Sequence, residues 1–204
     1  MNQNPDTEAT VFIVDDDPAI RFAMQALMDS VNLRHEIFAS GDEFLENVDD
    51  HRAGCLVLDI RMPGLGGLEL QEELIKHGST LPIIFITGHG DVPMAVDAMQ
   101  KGAVDFIQKP FRDQDLLDRI REALKTDQER REEQQRHAEV AERLARLTNR
   151  EREVFDLVVT GKPNKVIAYE LGVSQRTVEI HRARVMEKMQ ARSLADLVKM
   201  HMTA

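Results

Sequence analysis

The amino-acid sequence has few of the features that mark secreted, membrane-spanning and zinc-binding proteins. Its 204 residues include one cysteine, Cys55, which excludes an internal disulfide framework and favours the cytoplasm. No apolar run approaches the roughly 20 residues that a membrane-spanning helix needs. The first ten residues contain neither a basic nor an apolar stretch, so we expect no export signal. Seven histidines are scattered without the spacing of a zinc site. We therefore expect a cytoplasmic protein without a membrane partner.

Charge is distributed unevenly along the chain. Residues 1–125 carry 23 acidic and 11 basic side chains, whereas residues 148–204 carry 7 acidic and 10 basic ones. An acidic first part repels nucleic acid, and a basic last part tolerates it. This asymmetry indicates two domains with different partners, although the small positive charge of the last part also fits ordinary surface variation.

The apolar pattern predicts an α/β fold for the first part of the chain. Short apolar runs predict strands at residues 10–14, 34–39, 55–58, 83–86 and 104–107. Apolar residues recur at helical spacing at residues 18–30, 41–48, 67–77 and 92–101, and from Asp113 onward. Five such units predict a doubly wound five-stranded parallel sheet, in which ligands bind beyond the carboxyl ends of the strands.

Polar side chains follow several of these predicted strands. Asp15 and Asp16 come after the first strand, and Asp59 comes after the third. Three close anions need a cation, and oxygen ligands with open positions suit Mg²⁺. Thr87 and Lys109, at the ends of two further strands, offer a hydroxyl and an ammonium to a transferred phosphoryl group. The sequence therefore predicts a magnesium site at which phosphoryl transfer occurs.

The remainder of the chain is predicted to be helical. Residues 125–146 are almost entirely charged or polar, which predicts a charged helical linker supported by opposite charges three or four residues apart. Sustained heptads are absent, so a solvated spacer and one side of a dimer both stay open. Residues 147–204 contain start and stop signals for four helices, which predicts an all-α domain. Within it, Gly172 marks the tight turn of a helix–turn–helix.

The second helix of the predicted helix–turn–helix has two different faces. One is apolar and is expected to pack inward, whereas the other combines bases, one acid and small apolar groups, as suits a helix in the major groove. Lys165 and Thr177 lie near helix N-termini and are candidates for phosphate contacts. The full set of candidate DNA contacts is Lys165, Arg176, Thr177, Glu179, Ile180, His181, Arg182 and Arg184. The pattern also fits a helical bundle that contacts protein.

The sulfur-containing side chains are predicted to lie mainly in the cores. Cys55 falls in a predicted strand, and Met186 and Met189 occupy apolar helical positions. Met99 is predicted to be a core residue, with an exposed position on its helix as the alternative.

Four segments resemble the receiver domain of two-component response regulators. They are Val11-Phe-Ile-Val-Asp-Asp-Asp-Pro, Leu56-Val-Leu-Asp-Ile-Arg-Met-Pro-Gly, Phe85-Ile-Thr-Gly and Phe106-Ile-Gln-Lys-Pro-Phe. Their order and spacing match over about residues 9–124. The resemblance implies that Asp59 is the phosphoacceptor and attacks a phosphohistidine of a sensor histidine kinase. It also implies that Asp16 and Asp59 ligate Mg²⁺ directly, that Asp15 supports the ion through water, and that the backbone carbonyl of Arg61 completes the protein ligands.

The same resemblance implies how the phosphoryl group is held and sensed. Thr87 and Lys109 would each bind one phosphoryl oxygen, and the peptide bond between Lys109 and Pro110 is expected to be cis. Phe106 would be the switch side chain that changes rotamer. Arg61 and His89 would tune the rate of autodephosphorylation.

Three further segments resemble the LuxR-type DNA-binding domain. They are Leu147-Thr-Asn-Arg-Glu-Arg-Glu-Val, Asn164-Lys-Val-Ile-Ala and Ser174-Gln-Arg-Thr-Val-Glu-Ile-His-Arg. The order of receiver, linker and LuxR-type domain is similar to the FixJ branch of the NarL/FixJ family. This implies promoter DNA as a partner, with RNA polymerase as a further candidate. The family often has lysine where Glu179 stands, so base preference does not carry across.

The resulting hypothesis is a phosphorylation-activated, DNA-binding transcription regulator whose only catalysis is its own phosphotransfer and autodephosphorylation. Phosphorylated receivers would form a homodimer through the helix at 92–101 and its neighbours, with Val92, Val96 and Met99 as residues to test. A haloacid-dehalogenase-type phosphohydrolase is disfavoured because Arg61 stands where that class needs a second acid. A phosphorylation-gated module that binds protein instead of DNA is the main alternative.

Overall fold

A parallel sheet of five strands organises the first of two structural units, residues 1–130. The computed structural model describes residues 9–49, 52–88 and 92–203. The strands are β1 (Thr10–Val14), β2 (His35–Phe38), β3 (Gly54–Asp59), β4 (Ile83–Thr87) and β5 (Asp105–Gln108). They pair in the order β2-β1-β3-β4-β5, so the predicted doubly wound sheet is confirmed. The strand order reverses between β1 and β3, and sheets of this type bind ligands beyond the carboxyl ends of the strands at that point.

Strand β3 begins one residue earlier than the apolar pattern predicts, at Gly54. Gly54 has φ 149° and pairs with Thr10 of β1. A Cβ atom at this position would stand 1.9 Å from the Thr10 carbonyl oxygen, so only glycine fits. Apolar periodicity cannot reveal such a residue, because glycine contributes no side chain to the pattern.

Helices cover both faces of this sheet. They are α1 (Pro18–Ser30), α2 (Gly41–Asn47), α3 (Gly67–Lys76), α4 (Val92–Gln100) and the start of α5 (Asp113–Ala145). Asp17 caps α1 by accepting a hydrogen bond from the Ala19 backbone N–H, with Pro18 in the first turn. One layer of the core packs around Phe12, Leu58 and Phe85, and the other around Ile13, Ile84 and Leu116.

The sulfur-containing side chains of this unit differ in burial. Cys55 is fully buried, as predicted, and burial raises the pKa of its thiol to about 12. The prediction that Met99 is a core residue is wrong, because its side chain is 37% exposed. Its neighbour Ala98 occupies the inward position of α4 instead, and one residue further along a helix turns the side chain by about 100°.

The second unit, residues 131–204, is entirely helical. It contains the end of α5, followed by α6 (Asn149–Val159), α7 (Asn164–Leu171), α8 (Gln175–Met189) and α9 (Leu194–Thr203). These are the four helices that the sequence predicts after the linker. The core includes Phe155, Ile167 and Met189, and Met186 is partly buried against it. Within the described residues, no helix is both long and apolar enough to cross a membrane.

Helix α5 is one continuous helix from Asp113 to Ala145. Residues 132–139 are exposed on all sides, as expected of a charged spacer. Val140 and Leu144 are buried in the core of the second unit. The last turns of α5 therefore belong structurally to the helical unit. The boundaries of a linker at residues 125–146 stay a prediction.

Local signals position the helix–turn–helix. Thr148 and Glu151 form the predicted capping box at the start of α6. Gly172 ends α7 in the left-handed conformation, φ 65°, and Ser174 caps α8 by accepting from the Thr177 backbone N–H. The turn between α7 and α8 is therefore short and defined at both ends.

Candidate functional site

The three predicted carboxylates meet at the carboxyl end of the sheet. Val14 pairs with Leu58 in the register of β1 and β3, so the chain reaches Asp15 and Asp59 side by side. Asp16 follows directly. One carboxylate oxygen from each of the three side chains lies within 4.8 Å of the others. Parallel pairing of adjacent strands thus produces the acidic cluster that the sequence predicts.

The donor set of this cluster fits Mg²⁺. It consists of carboxylate oxygens alone, which are the ligands that this ion prefers. One oxygen from each carboxylate lies within 4.8 Å of the other two, so the three side chains could share one ion. Asp15 is buried whereas Asp16 is exposed, so one side of the cluster is open to water and to an incoming phosphoryl group.

Lys109 places its ammonium beside two of these carboxylates. Its ammonium donates to Asp15 Oδ2 at 3.0 Å and to Asp59 Oδ2 at 3.3 Å. Burial lowers the pKa of Lys109, but the hydrogen bond and charge of Asp15 and the charge of Asp59 outweigh it, so the pKa lies above its ordinary value. The Lys109–Pro110 peptide bond is cis, as expected.

Asp59 is held in a polar pocket that is largely shielded from water. Its side chain is 13% exposed. Burial raises the pKa of the Asp59 carboxyl above its ordinary value, Lys109 opposes this shift, and the charge of Asp15 adds to it. The backbone N–H of Arg61 also donates a hydrogen bond to the carboxylate. A shielded carboxylate beside an ammonium is suited to attack an electrophilic phosphorus.

The remaining predicted residues of this site lie on β4, β5 and the loops that follow them. Thr87 is buried at the end of β4, and its carbonyl accepts from the Lys109 backbone N–H at 2.7 Å. Phe106 pairs with Phe85 in the sheet and is partly buried against the core. Arg61 is exposed. His89 lies outside the described residues.

One residue at this site was missed by sequence reasoning. Arg21, the fourth residue of α1, donates from Nη1 to the Asp15 backbone carbonyl at 2.7 Å. A contact to a backbone oxygen requires no particular partner side chain, so the sequence carries no pair to search for. The one available signal was the short spacing between the aspartates and an arginine on the following helix, and it was not used.

The exposed face of α8 in the second unit carries the predicted combination of side chains. Arg176, Glu179, Ile180 and Arg184 are exposed, whereas Val178, Val185 and Met189 are fully buried. Arg176 and Glu179 approach each other at 3.6 Å. A helix with this exposed face, following a short turn, has the geometry that enters the major groove.

The other candidate DNA contacts differ in their freedom to reach a ligand. Lys165 is exposed. The hydroxyl of Thr177 lies 2.8 Å from that of Ser174 within the cap of α8. Arg182 donates to Asn164 Oδ1 at 3.1 Å, so this side chain already links α8 to α7. His181 is partly buried, and its Nδ1 has no hydrogen-bond partner within the described residues.

Two family descriptions match the chain, one for each unit. The family described as response regulator receiver domain matches residues 11–121. The family described as bacterial regulatory proteins, luxR family, matches residues 145–201. The chain therefore belongs to the response regulators, with a receiver domain followed by a LuxR-type DNA-binding domain. This favours a phosphorylation-dependent transcription regulator over the alternative in which the helical domain binds only protein.

Individual relatives share this organisation over nearly the whole chain. Nodulation protein W of Bradyrhizobium diazoefficiens is 49% identical over 197 residues, covering 97% of this chain and 87% of the relative. Transcriptional regulatory protein FixJ of the same organism is 41% identical over 198 residues, covering 97% of both chains. The solved structure of the response regulator StyR has a TM-score of 0.89 at 43% identity, covering 97% of this chain and 100% of that one.

Proposed function

We propose that Asp59 accepts a phosphoryl group from a phosphohistidine of a sensor histidine kinase in a Mg²⁺-dependent reaction. The observation that carries this proposal is the arrangement of the described site. Asp59 is shielded, lies beside two further carboxylates, and receives a hydrogen bond from Lys109. No other group of three or more potential metal ligands occurs among the described residues.

The chemistry follows from what each side chain can hold. An Asp59 oxygen attacks phosphorus, the O–P bond forms, and the P–N bond to the kinase histidine breaks, with the electron pair returning to the imidazole nitrogen. Asp15, Asp16 and Asp59, with the Arg61 backbone carbonyl, are the groups that would hold Mg²⁺, which neutralises charge on the phosphoryl oxygens when bound. Lys109 loses one carboxylate oxygen as a partner and takes a phosphoryl oxygen instead.

Thr87 and Phe106 connect this site to the surface of the receiver. The Thr87 hydroxyl, at the end of β4, is proposed to bind a second phosphoryl oxygen. Its displacement toward that oxygen vacates space into which Phe106 turns, which reshapes the surface formed by α4 and β5. Arg61 and His89 are proposed to control how readily water attacks the phosphoryl group.

The α4–β5 surface is proposed to pair two phosphorylated receivers. Val96 of α4 is 48% exposed, and Met99 and Val104 add further exposed apolar area. The side chain of Val92 lies outside the described residues. A receiver dimer links two DNA-binding domains, and contact with a second half-site then becomes intramolecular. Avidity rises by about 10²–10⁴ through this linkage alone.

The second unit is proposed to bind promoter DNA through α8. Arg176, Ile180 and Arg184 would face the base edges, with Glu179 accepting from a base amino group. Contacts with the DNA phosphates are proposed for Lys165, Thr177, His181 and Arg182. RNA polymerase is proposed as a further partner at the promoter.

Binding to a duplex with two half-sites tests this proposal. The duplex is selected from a random pool with the wild-type protein treated with acetyl phosphate and Mg²⁺. We expect that treatment to tighten binding to the two-site duplex by about 10²-fold or more, and to leave binding to a single half-site nearly unchanged. Val96→Asp should retain phosphorylation but lose the gain, because a carboxylate is then buried in the dimer. The proposal is contradicted if sedimentation shows a monomer both before and after treatment with acetyl phosphate while binding to the two-site duplex still depends fully on phosphorylation.

A further inference from the structure

The arginine that was not expected at the acidic site completes the hydrogen bonding of one aspartate. Asp15 has three oxygen atoms, and each accepts from a different donor. Oδ1 accepts from the Asp17 backbone N–H at 2.9 Å, Oδ2 accepts from Lys109 at 3.0 Å, and the backbone carbonyl accepts from Arg21 Nη1 at 2.7 Å. Asp15 is 1% exposed, so these contacts fix both its side chain and its backbone.

The contact from Arg21 also determines the position of the next residue. The carbonyl of Asp15 and the backbone nitrogen of Asp16 belong to the same planar peptide unit. Holding the carbonyl oxygen therefore restrains the plane of this peptide and with it the position of the Asp16 Cα atom, from which the side chain leaves the backbone. Within the described part of the chain the Asp16 carboxylate is exposed and has no hydrogen-bond partner of its own, so its position depends on this backbone.

Arg21 is itself well anchored to the same loop. Its backbone N–H donates to the Asp17 carbonyl at 3.0 Å in the first turn of α1. Asp17 in turn caps that helix through Ala19. The guanidinium of Arg21 thus connects α1 to the Asp15 carbonyl, two residues before the N-cap Asp17. Together with the contacts of Asp17, it holds residues 15–17 against the start of the helix.

We propose that Arg21 is a positioning residue for the metal site, which holds the Asp15–Asp16 peptide so that the Asp16 carboxylate stands beside Asp15 and Asp59. The inference rests on the proposed function, because it assumes that these carboxylates bind a divalent cation. Arg21 touches neither the cation nor the phosphoryl group. It acts through the backbone of the residue that donates the ligand.

The charge of Arg21 acts in the opposite direction to its positioning role. A guanidinium near the cluster repels a divalent cation, so removing it on electrostatic grounds alone would tighten cation binding. Salt weakens that repulsion, because the Debye length falls to roughly 4–5 Å at 0.5 M ionic strength. A hydrogen bond that fixes a peptide is much less sensitive to salt. At high ionic strength the charge alone therefore predicts unchanged or slightly tighter cation binding when Arg21 is removed, whereas the positioning role predicts weaker binding.

Binding of Mn²⁺, which has the same oxygen preference as Mg²⁺, measures the effect without any turnover. Free Mn²⁺ is titrated by electron paramagnetic resonance against the full chain in 0.5 M KCl. We expect Arg21→Met to weaken binding by about threefold to tenfold, which is less than the roughly tenfold or more that a whole hydrogen bond to a charged group contributes, because Arg21 acts on the ligand only through the backbone. Arg21→Lys, which keeps a donor and the charge but not the planar fork, should fall between Arg21→Met and the wild type. Arg121→Met removes an exposed arginine of α5 and should bind like the wild type.

The outcomes separate the two proposals. Equal or tighter Mn²⁺ binding by Arg21→Met in 0.5 M KCl, with a wild-type circular dichroism spectrum, overturns the positioning role. If Arg21→Met does not fold, Arg21→Lys carries the test: Mn²⁺ affinity equal to that of the wild type in 0.5 M KCl overturns the positioning role, because the guanidinium contact to the Asp15 carbonyl is then not required. If the wild type binds Mn²⁺ no better than Asp59→Asn does, the metal site itself is wrong, and the positioning role falls with it.

Discussion

The ion pair between the buried Glu151 and the partly exposed Lys188 should make the stability of the DNA-binding domain depend on pH in a defined way. Glu151 is 2% exposed, and its Oε2 accepts from Lys188 Nζ at 2.6 Å and from the Thr148 backbone N–H at 2.9 Å. The hydrogen bond from Lys188, with that from Thr148, lowers the pKa of Glu151 from an ordinary value of 4.5 to about 2. The pair joins the start of α6 to the end of α8.

Replacing Glu151 by glutamine removes the charge but keeps an oxygen that caps α6. A charge-assisted hydrogen bond contributes about 1.5–3 kcal/mol, and a neutral one about 0.5–1.5 kcal/mol. Glu151→Gln should therefore lower the free energy of unfolding of this domain by about 1–2 kcal/mol at pH 7. Because the pKa is lower in the folded state, the stabilisation is complete above pH 4.5 and is lost as the pH falls toward 2. The difference between the variant and the wild type should narrow over that range.

Urea unfolding of the full chain measures this difference. The chain has one tyrosine and no tryptophan, and Tyr169 lies on α7, so its fluorescence anisotropy reports the helical unit alone. Curves are recorded at pH 7, 5 and 3.5 for the wild type, Glu151→Gln and the control Glu153→Gln. Glu153 is exposed and pairs with Arg150, so its replacement should cost less than about 0.5 kcal/mol. The reasoning is refuted if the difference in free energy of unfolding between the wild type and Glu151→Gln is the same at pH 7 and pH 3.5. It is also refuted if there is no such difference at pH 7.

Three other substitutions test separate parts of the structure. Gly54→Ala places a Cβ 1.9 Å from the Thr10 carbonyl and should destabilise the receiver by more than about 3 kcal/mol, measured by circular dichroism during urea unfolding; a loss under 1 kcal/mol contradicts the close contact. Leu144→Ala should cost the helical unit about 2–3 kcal/mol by the Tyr169 signal, and no cost would show that α5 is not part of its core. Replacing Arg61 and His89 together by alanine should change the lifetime of phosphorylated protein without blocking its formation, which phosphate release measures; identical lifetimes oppose their proposed role.

The edge of the sheet that carries the site could be predicted from the sequence because each step of the prediction is local. Apolar runs identify β1 and β3, and parallel pairing then brings the residues after them together. Asp15 and Asp59 follow those runs directly, so their meeting requires only that the two strands be neighbours. Lys109 directly follows β5, so the same argument places it at this edge of the sheet. Its contacts with Asp15 and Asp59 agree with that placement.

Other features could not be read from the sequence, because their cause lies in tertiary contacts. Val140 and Leu144 are two apolar residues among many charges, and only the packing of α5 against the helical unit shows that they are buried. Met99 and Ala98 are adjacent apolar residues, and the sequence does not say which one faces inward. Arg21 bonds a backbone carbonyl, which every residue possesses.

The central claim, that Asp59 is the Mg²⁺-dependent phosphoacceptor, is tested most directly by labelling with acetyl phosphate. The full chain and Asp59→Asn are incubated with acetyl phosphate, with and without MgCl₂, and then examined by intact-mass spectrometry and peptide mapping. The account predicts one phosphoryl group on Asp59 of the wild type only when Mg²⁺ is present, and none on the variant, because an amide is not a nucleophile. Undiminished labelling of Asp59→Asn, or equal labelling of the wild type in the presence of a chelator, would contradict it.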